Sequence, residues 1–243
     1  MPSMTGPASA SPDVESVVRR YHRAERAVSW LVVLVVVAAV LAGFRALDPL
    51  PAALVAVAVV VIVRVPIVCR GGHTRLAADA EPSTVASEFR SVTPPVLAFQ
   101  WGIADGIEAG DDEDIGGGSD ERSPIRATYR ESRREPTASA VGGCQLFGLR
   151  SVSLDVEVRS VGTESGALET LQVSGTADGR PWGRYRVSIR EGDSRTVVDV
   201  EVTTDRRFDL RSVPQTLVAE RFFEAALAAQ GYRVVDRDVS WSA

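Results

Sequence analysis

Apolar and polar residues follow two different rhythms along the 243 positions of this chain. Near the N-terminus lie two runs that are apolar on every face, Ala27 to Phe44 and Leu50 to Cys69, joined by the five residues Arg45 to Pro49. The first holds 18 residues without a charge. At 1.5 Å per residue it covers about 27 Å, close to the hydrocarbon thickness of a bilayer. The second carries Pro51 near its start, where a missing N–H costs little, and runs to Val63 before meeting Arg64, Val65 and Pro66. Extended to Cys69 it reaches about 20 residues, the length of a span, with Arg64 within snorkelling reach of the interface. A signal peptide is disfavoured, because the first run exceeds the usual apolar stretch of about 7 to 15 residues and a second run follows almost at once. The pattern predicts a transmembrane hairpin over 27–69, with Trp30 at an interface. Arg19, Arg20, Arg23 and Arg26 precede it, Arg70, His73 and Arg75 follow it, and the connection carries only Arg45 and Asp48. The positive-inside rule then places both termini in the cytoplasm of a multi-pass protein. Met1 to Asp13, rich in Pro, Ser and Ala, reads as a disordered tail, and with the basic, helix-like stretch to Arg26 it forms a leader over 1–26.

The remainder, 70–243, alternates over short stretches. Thr74 to Ala78 and Ile125 to Ser132 read as strands, and Val85, Phe89 and Val92 fall at helical spacing in a short helix over 82–91 that Pro94 and Pro95 end. The apolar segment Val96 to Ile107 reads as a strand. Val152, Leu154, Val156 and Val158 alternate with polar residues, as do Leu171 and Val173, then Tyr185, Val187 and Ile189, then Val198, Val200 and Val202, so four further strands each have one buried face. Glu191 to Ser194 reads as a hairpin turn. Pairing Arg190 with Arg195 sets Arg186 opposite Asp199 and Arg184 opposite Glu201 on the wet face, with Val187 facing Val198. Val213 to Gln230 is the one long helix, with Pro214 in its first turn and Gly231 at its end. Its apolar face holds Val218, Phe222, Ala225, Ala226 and Ala229. Tyr232 to Trp241 closes the chain as a strand with Val235, Val239 and Trp241 on one side. The expected fold is α+β: two transmembrane helices followed by an antiparallel sheet with one short and one long helix.

Charge narrows the partners. Residues 70–243 carry 21 Arg against 28 Asp and Glu, a net of −7, whereas a nucleic-acid partner calls for a basic face. Lys and Asn are absent, which with the acidic surplus points to a GC-rich genome and an extreme halophile. Two cysteines, Cys69 and Cys144, exclude a disulfide framework. Five carboxylates crowd between Asp111 and Asp120 around three glycines, without the ligand spacing of an EF-hand, and the segment 108–123 reads as a mobile acidic loop.

Candidate chemistry is sparse. The two histidines, His22 and His73, flank the membrane runs, and no GxSxG, Walker A, GxGxxG or HExxH pattern occurs. Asp236 and Asp238 share one face of the last strand on either side of Arg237, where solvation of an edge strand accounts for them. Trp101, Trp182 and Trp241 either line a ligand pocket or fill the core. No catalytic residue, metal ligand or cofactor site is assigned.

The order of strand, short helix, irregular stretch, antiparallel strands and one late long helix, opened by TRLAADAEPSTVASEF, resembles the helix-grip layout of START-like domains, the polyketide cyclase or SRPBCC superfamily. That family's Ala-x-x-x-Val helix start is carried loosely by Ala80 and Val85. The resemblance covers Thr74 to Gln230, and the chain departs from it in the acidic insertion at 111–122 and in the strand after the long helix. It implies a curved sheet gripping the helix around a cavity suited to apolar ligands. The expected function is therefore that of a non-enzymatic two-pass membrane protein whose cytoplasmic domain binds a lipid or another apolar small molecule. The alternative is a membrane-tethered structural or protein-interaction module with no ligand.

Overall fold

One uninterrupted helix, α1 (Pro12–Ala46), runs for 35 residues, about 50 Å at 1.5 Å per residue, so it can serve two environments in turn. Its second half is the apolar run; the most apolar 18-residue window has a mean hydropathy of 2.7 and is nowhere buried. Its first half is amphipathic and belongs to the folded domain. Val14 and Val18 are buried at 2% and 0% exposure, and His22 is buried beside them. This corrects the expected leader: residues 12–26 are not a separate basic segment but a core helix whose arginines face outward. The computed structural model describes residues 12–110, 124–135, 148–162, 166–177, 179–204, 207–209 and 213–242; most of the expected tail, most of the predicted acidic loop, and Cys144 lie outside these.

The second apolar helix, α2 (Pro49–Arg64), is 16 residues long, about 24 Å, and packs back along α1. It stops well before Cys69. Val65, the residue before Pro66, is extended at φ −69° and ψ 122°, as the proline ring demands. The β-branched run that follows enters strand β1 (Pro66–Ala78). Of the two predicted spans, only α1 is long and apolar enough to cross a membrane among the described residues.

β1 then takes an interior place in a nine-stranded antiparallel sheet. After it come α3 (Pro82–Phe89), a 3-10 turn at Pro95–Leu97 and a single turn α4 (Ala98–Trp101). The strand expected over Val96 to Ile107 is thus helical in its first half and reaches a strand only at Gly106. Val96, Leu97, Ala98, Phe99 and Trp101 are all buried, a pattern that a buried strand and a buried helix share in sequence. The indole Nε1 of Trp101 donates to the Pro94 carbonyl at 3.0 Å and ties the turn to its proline start.

Strands β2 (Gly106–Ala109), β3 (Ile125–Glu135), β4 (Gly148–Gly162), β5 (Glu169–Ala177), β6 (Arg180–Glu191) and β7 (Thr196–Thr203) form a meander. β7 closes onto β1, and the two-residue β8 (Phe208–Asp209) pairs with the start of β1. Helix α5 (Val213–Ala228) and strand β9 (Tyr232–Ser242) complete the chain, β9 on the free side of β1.

Two registers differ from expectation. Glu191 pairs with Thr196 and Arg186 with Glu201, two residues away from the expected alignment, so the faces are preserved and only the partners change. The loop is set by the Gly192 N–H donating to the Arg195 carbonyl at 2.9 Å; a Cβ at Gly192 would lie 2.8 Å from that same oxygen. In β9, Asp236 pairs with Arg75 but Val234 with Leu76, so Val235 is a bulge. It is 59% exposed rather than aligned with Val239 and Trp241.

The core sits between one face of the sheet and the helices. Leu76, Val85, Phe89, Leu97, Leu171, Val187, Val198 and Leu227 are each at most 1% exposed. α1 joins them: the Tyr21 ring centre lies 4.3 Å from that of Phe99 and 6.2 Å from that of Phe222. Ser29 Oγ accepts a hydrogen bond from Gln215 Nε2 at 2.8 Å. Gly102 leaves room for this docking, since a Cβ there would stand 3.0 Å from Val18 Cγ2. Val18→Ala should therefore destabilise the domain by about 1–3 kcal/mol, lowering its unfolding temperature by several degrees in detergent. Val35→Ala in the exposed half should leave that temperature unchanged; equal responses would contradict the division of α1.

Candidate functional site

The outer face of the sheet accounts for most charged residues seen in the sequence. Across β6, β7, β1 and β9, the row Arg186, Glu201, His73, Asp238 alternates basic and acidic side chains, and Asp199, Arg75, Asp236 alternate in sign in the next row. Asp199, whose side chain is 9% exposed, lies 2.8 Å from Arg75 Nε, 3.2 Å from His73 Nε2 and 2.6 Å from Arg190 Nη2. The last is an ion pair whose angle falls short of a hydrogen bond. The hydrogen bond to Asp199 raises the pKa of Arg75. Asp236 and Asp238 belong to this ladder, each with a basic cross-strand neighbour, and it suffices as a cross-strand stabiliser.

The three tryptophans do not converge. Trp101 is buried on α4, Trp182 on β6 packs beside Tyr185 at 6.1 Å, and Trp241 on the edge strand is partly exposed, its backbone opposite Arg70. Other polar contacts fasten helices to the sheet. Tyr129 Oη donates to the Val92 carbonyl at 2.7 Å, Tyr232 Oη donates to Glu88 Oε2, and Arg90 pairs with Glu169. His22 Nδ1 lies 3.0 Å from Glu25 Oε2, while its buried Nε2 has no hydrogen-bond partner among the described residues.

One cluster on the inner face was not foreseen. Glu220 of α5 receives Arg70 Nη2 of β1 on Oε1 and Arg237 Nη2 of β9 on Oε2. The Arg237 guanidinium carbon lies 3.9 Å from the centre of the Phe223 ring, within cation–π range. Their side chains are 23% (Arg70), 19% (Glu220) and 13% (Arg237) exposed, so the three are largely withdrawn from water yet reachable. Desolvation lowers the pKa of both arginines, although neither loses its proton at any working pH. Tyr185 lies close enough for its field to act on Arg70. The sequence held a faint signal: Glu220 stands three residues before Phe223 and seven before Leu227, an acid on the buried stripe of a helix.

Chemically the cluster offers donors and positive charge, with no nucleophile and no acid–base pair. No group of three or more His, Cys, Asp or Glu side chains suited to a metal occurs among the described residues. Beyond the cluster, an open groove of about 410 Å³ runs between the second half of α5 and β9, lined by Glu224, Ala228, Gly231, Tyr232, Arg233 and Val234.

No family model and no curated protein matches the chain. Among solved structures it is similar to the crystal structure of TTHA0849 from Thermus thermophilus, at 14% identity over 65% of this chain and 98% of that one, with a TM-score of 0.34. At that level the likeness carries no argument about fold or function.

Burial raises the pKa of Tyr129, Tyr185 and Tyr232, with the carboxylate of Glu88 adding to the rise at Tyr232. Their contribution to stability is complete below the unfolded tyrosine value of about 10 and is lost as pH rises from there towards the folded values. Ultraviolet titration should show these three phenols resisting ionisation near pH 10 and ionising together with loss of near-ultraviolet circular dichroism. Ionisation at pH 10 with the fold intact would contradict their burial.

Proposed function

We propose that the chain is a START-like domain anchored in a bilayer by the α1–α2 hairpin, with both ends cytoplasmic, and that it takes a lipid or another apolar small molecule at the membrane surface. The observation that carries the reading is the exposure of the hairpin's large apolar side chains away from the α1–α2 contact. Trp30, Leu31, Leu34, Leu41, Leu54 and Ile62 are each more than half exposed, an apolar surface far larger than a few hundred Å², which marks a membrane or partner contact. α2 is shorter than a standard span, but topology favours a return. The first half of α1 and the strand β1 belong to one core, so a chain that enters the bilayer with α1 must come back with α2. A helix of about 24 Å does so by local bilayer thinning or snorkelling of its flanking residues.

The START-like part of the reading is supported by the element order: a first strand, short helices, a meander that closes back onto that strand, and a late long helix. β9 is an addition that covers the far edge of β1. A second reading, a tethered module without a ligand, is favoured by one observation: among the described residues the helix–sheet interior is filled by large side chains such as Phe89, Leu97 and Leu227.

The test needs the full chain, because β1 begins at Pro66 and Val14 and Val18 are core residues. Native mass spectrometry of the protein released from mild detergent should show a bound lipid or apolar mass; ligand-free spectra from repeated preparations would favour the tethered module. Reporter fusions near Asp48 and after Ala243 should report exterior and cytoplasm respectively. A cytoplasmic reporter near Asp48 would overturn the two-pass arrangement.

A further inference from the structure

We infer that Arg70 and Arg237 form a phosphate site, the headgroup clamp for an amphiphile bearing a phosphate monoester; this rests on the proposed lipid reading and adds the class of ligand. Two guanidiniums converge on one carboxylate, so Glu220 by itself balances only one of two charges in a mostly desolvated place, where a poorly paired ion is costly. Each guanidinium has five N–H donors, and Glu220 takes one from each through its two oxygens. The Nε of Arg237 is buried without a hydrogen-bond acceptor among the described residues. Among the described residues, neither Glu224 nor Asp199 supplies one. Glu224 acts on Arg237 only through its field, and Asp199 is engaged on the opposite face of the sheet by Arg75, His73 and Arg190.

The surroundings fit an amphiphile better than a free ion. Phe223 backs the Arg237 guanidinium, and Tyr185 and Tyr21 lie close enough for their fields to act on Arg70. Arg70 is also four residues beyond Pro66, where the chain leaves α2. At about 3.3 Å per residue the site stands roughly 13 Å from the start of β1, at headgroup depth beside the membrane. A phosphate monoester bears about −1.5 to −2 charges near neutrality and three acceptor oxygens. It therefore neutralises two guanidiniums where the single charge of Glu220 does not. Arginine suits the role, since its planar fork meets phosphate oxygens in pairs. Glu220 is then a competitor for the same donors, holding the clamp in place when the site is empty.

The experiment measures binding of oleoyl lysophosphatidic acid, oleoyl lysophosphatidylcholine and inorganic phosphate to the full chain in zwitterionic nanodiscs. Lysophosphatidic acid should bind at least tenfold more tightly than lysophosphatidylcholine. Arg237→Gln and Arg70→Gln should each remove that preference, and Arg237→Lys should restore only part of it. Glu220→Gln should strengthen binding severalfold by releasing both guanidiniums, an outcome opposite in sign to that of a purely structural ion bridge. Equal affinity for inorganic phosphate, with the same response to the variants, would support the phosphate site with a soluble source. No preference between the two lipids, with Glu220→Gln only lowering the unfolding temperature, would overturn it. Release of the chain from membranes by carbonate washing would refute the anchor instead, and leaves the headgroup comparison in detergent able to decide this site by itself.

Discussion

The structure depends on a single continuous helix whose first half packs into the domain core and whose second half is an exposed apolar run. Along α1 the backbone hydrogen bonds are made within the helix at every level, which is the condition for entering hydrocarbon at all. Side chains then decide which half goes where. In the first half, Val14, Val18 and Tyr21 turn to α4 and α5, with arginines on the far side; in the second half no face is polar. Because there is no break between the halves, any movement of the sheet domain relative to the apolar half of α1 must bend a helix or undo core contacts. The connection on the other side is equally short, with Val65 alone between α2 and β1. The end of the sheet holding the start of β1 and the end of β9 is therefore the end next to the apolar helices.

That arrangement sorts charge by face. On the outer side, arginines and carboxylates alternate across four strands and remain near water, where each pair contributes little singly but fixes register. On the inner side polar groups are few, and several of them tie helices to the sheet: Tyr129 with a carbonyl, Tyr232 with Glu88, and the two arginines with Glu220. The last group stands apart because two guanidiniums share one carboxylate. It also sits where α5, β1 and β9 meet, so a ligand there would be sensed by the long helix and by the strand that follows α2.

Much of this was legible in the residues. Strands β3 to β7, α3 and α5 follow from periods of two and of three to four, with Pro214 and Gly231 marking the ends of α5. What was not legible had specific causes. Ile67 to Cys69 are as apolar as a membrane run, and only their pairing with β8 and β9 makes them strand. Val96 to Trp101 are apolar on every side, so periodicity could not separate strand from helix. The bulge at Val235 and the two-residue change in the β6–β7 register depend on loop geometry and on a neighbouring strand far away in sequence. The docking of residues 14–22 was hidden because an amphipathic basic helix beside a span reads equally well as a cytoplasmic flank.

The N-terminal half of α1 is part of the domain core while its other half is an exposed apolar run long enough to cross a membrane, and on this division everything else rests. Hydrogen–deuterium exchange on the full chain in nanodiscs tests it directly, because exchange reports the free energy of opening for each segment. Amides of residues 18–24 are expected to exchange as slowly as those of β1 and β7, and Val18→Asp to accelerate all three together. Rapid exchange over 18–24 alongside a protected sheet, or an effect of Val18→Asp confined to α1, would contradict it.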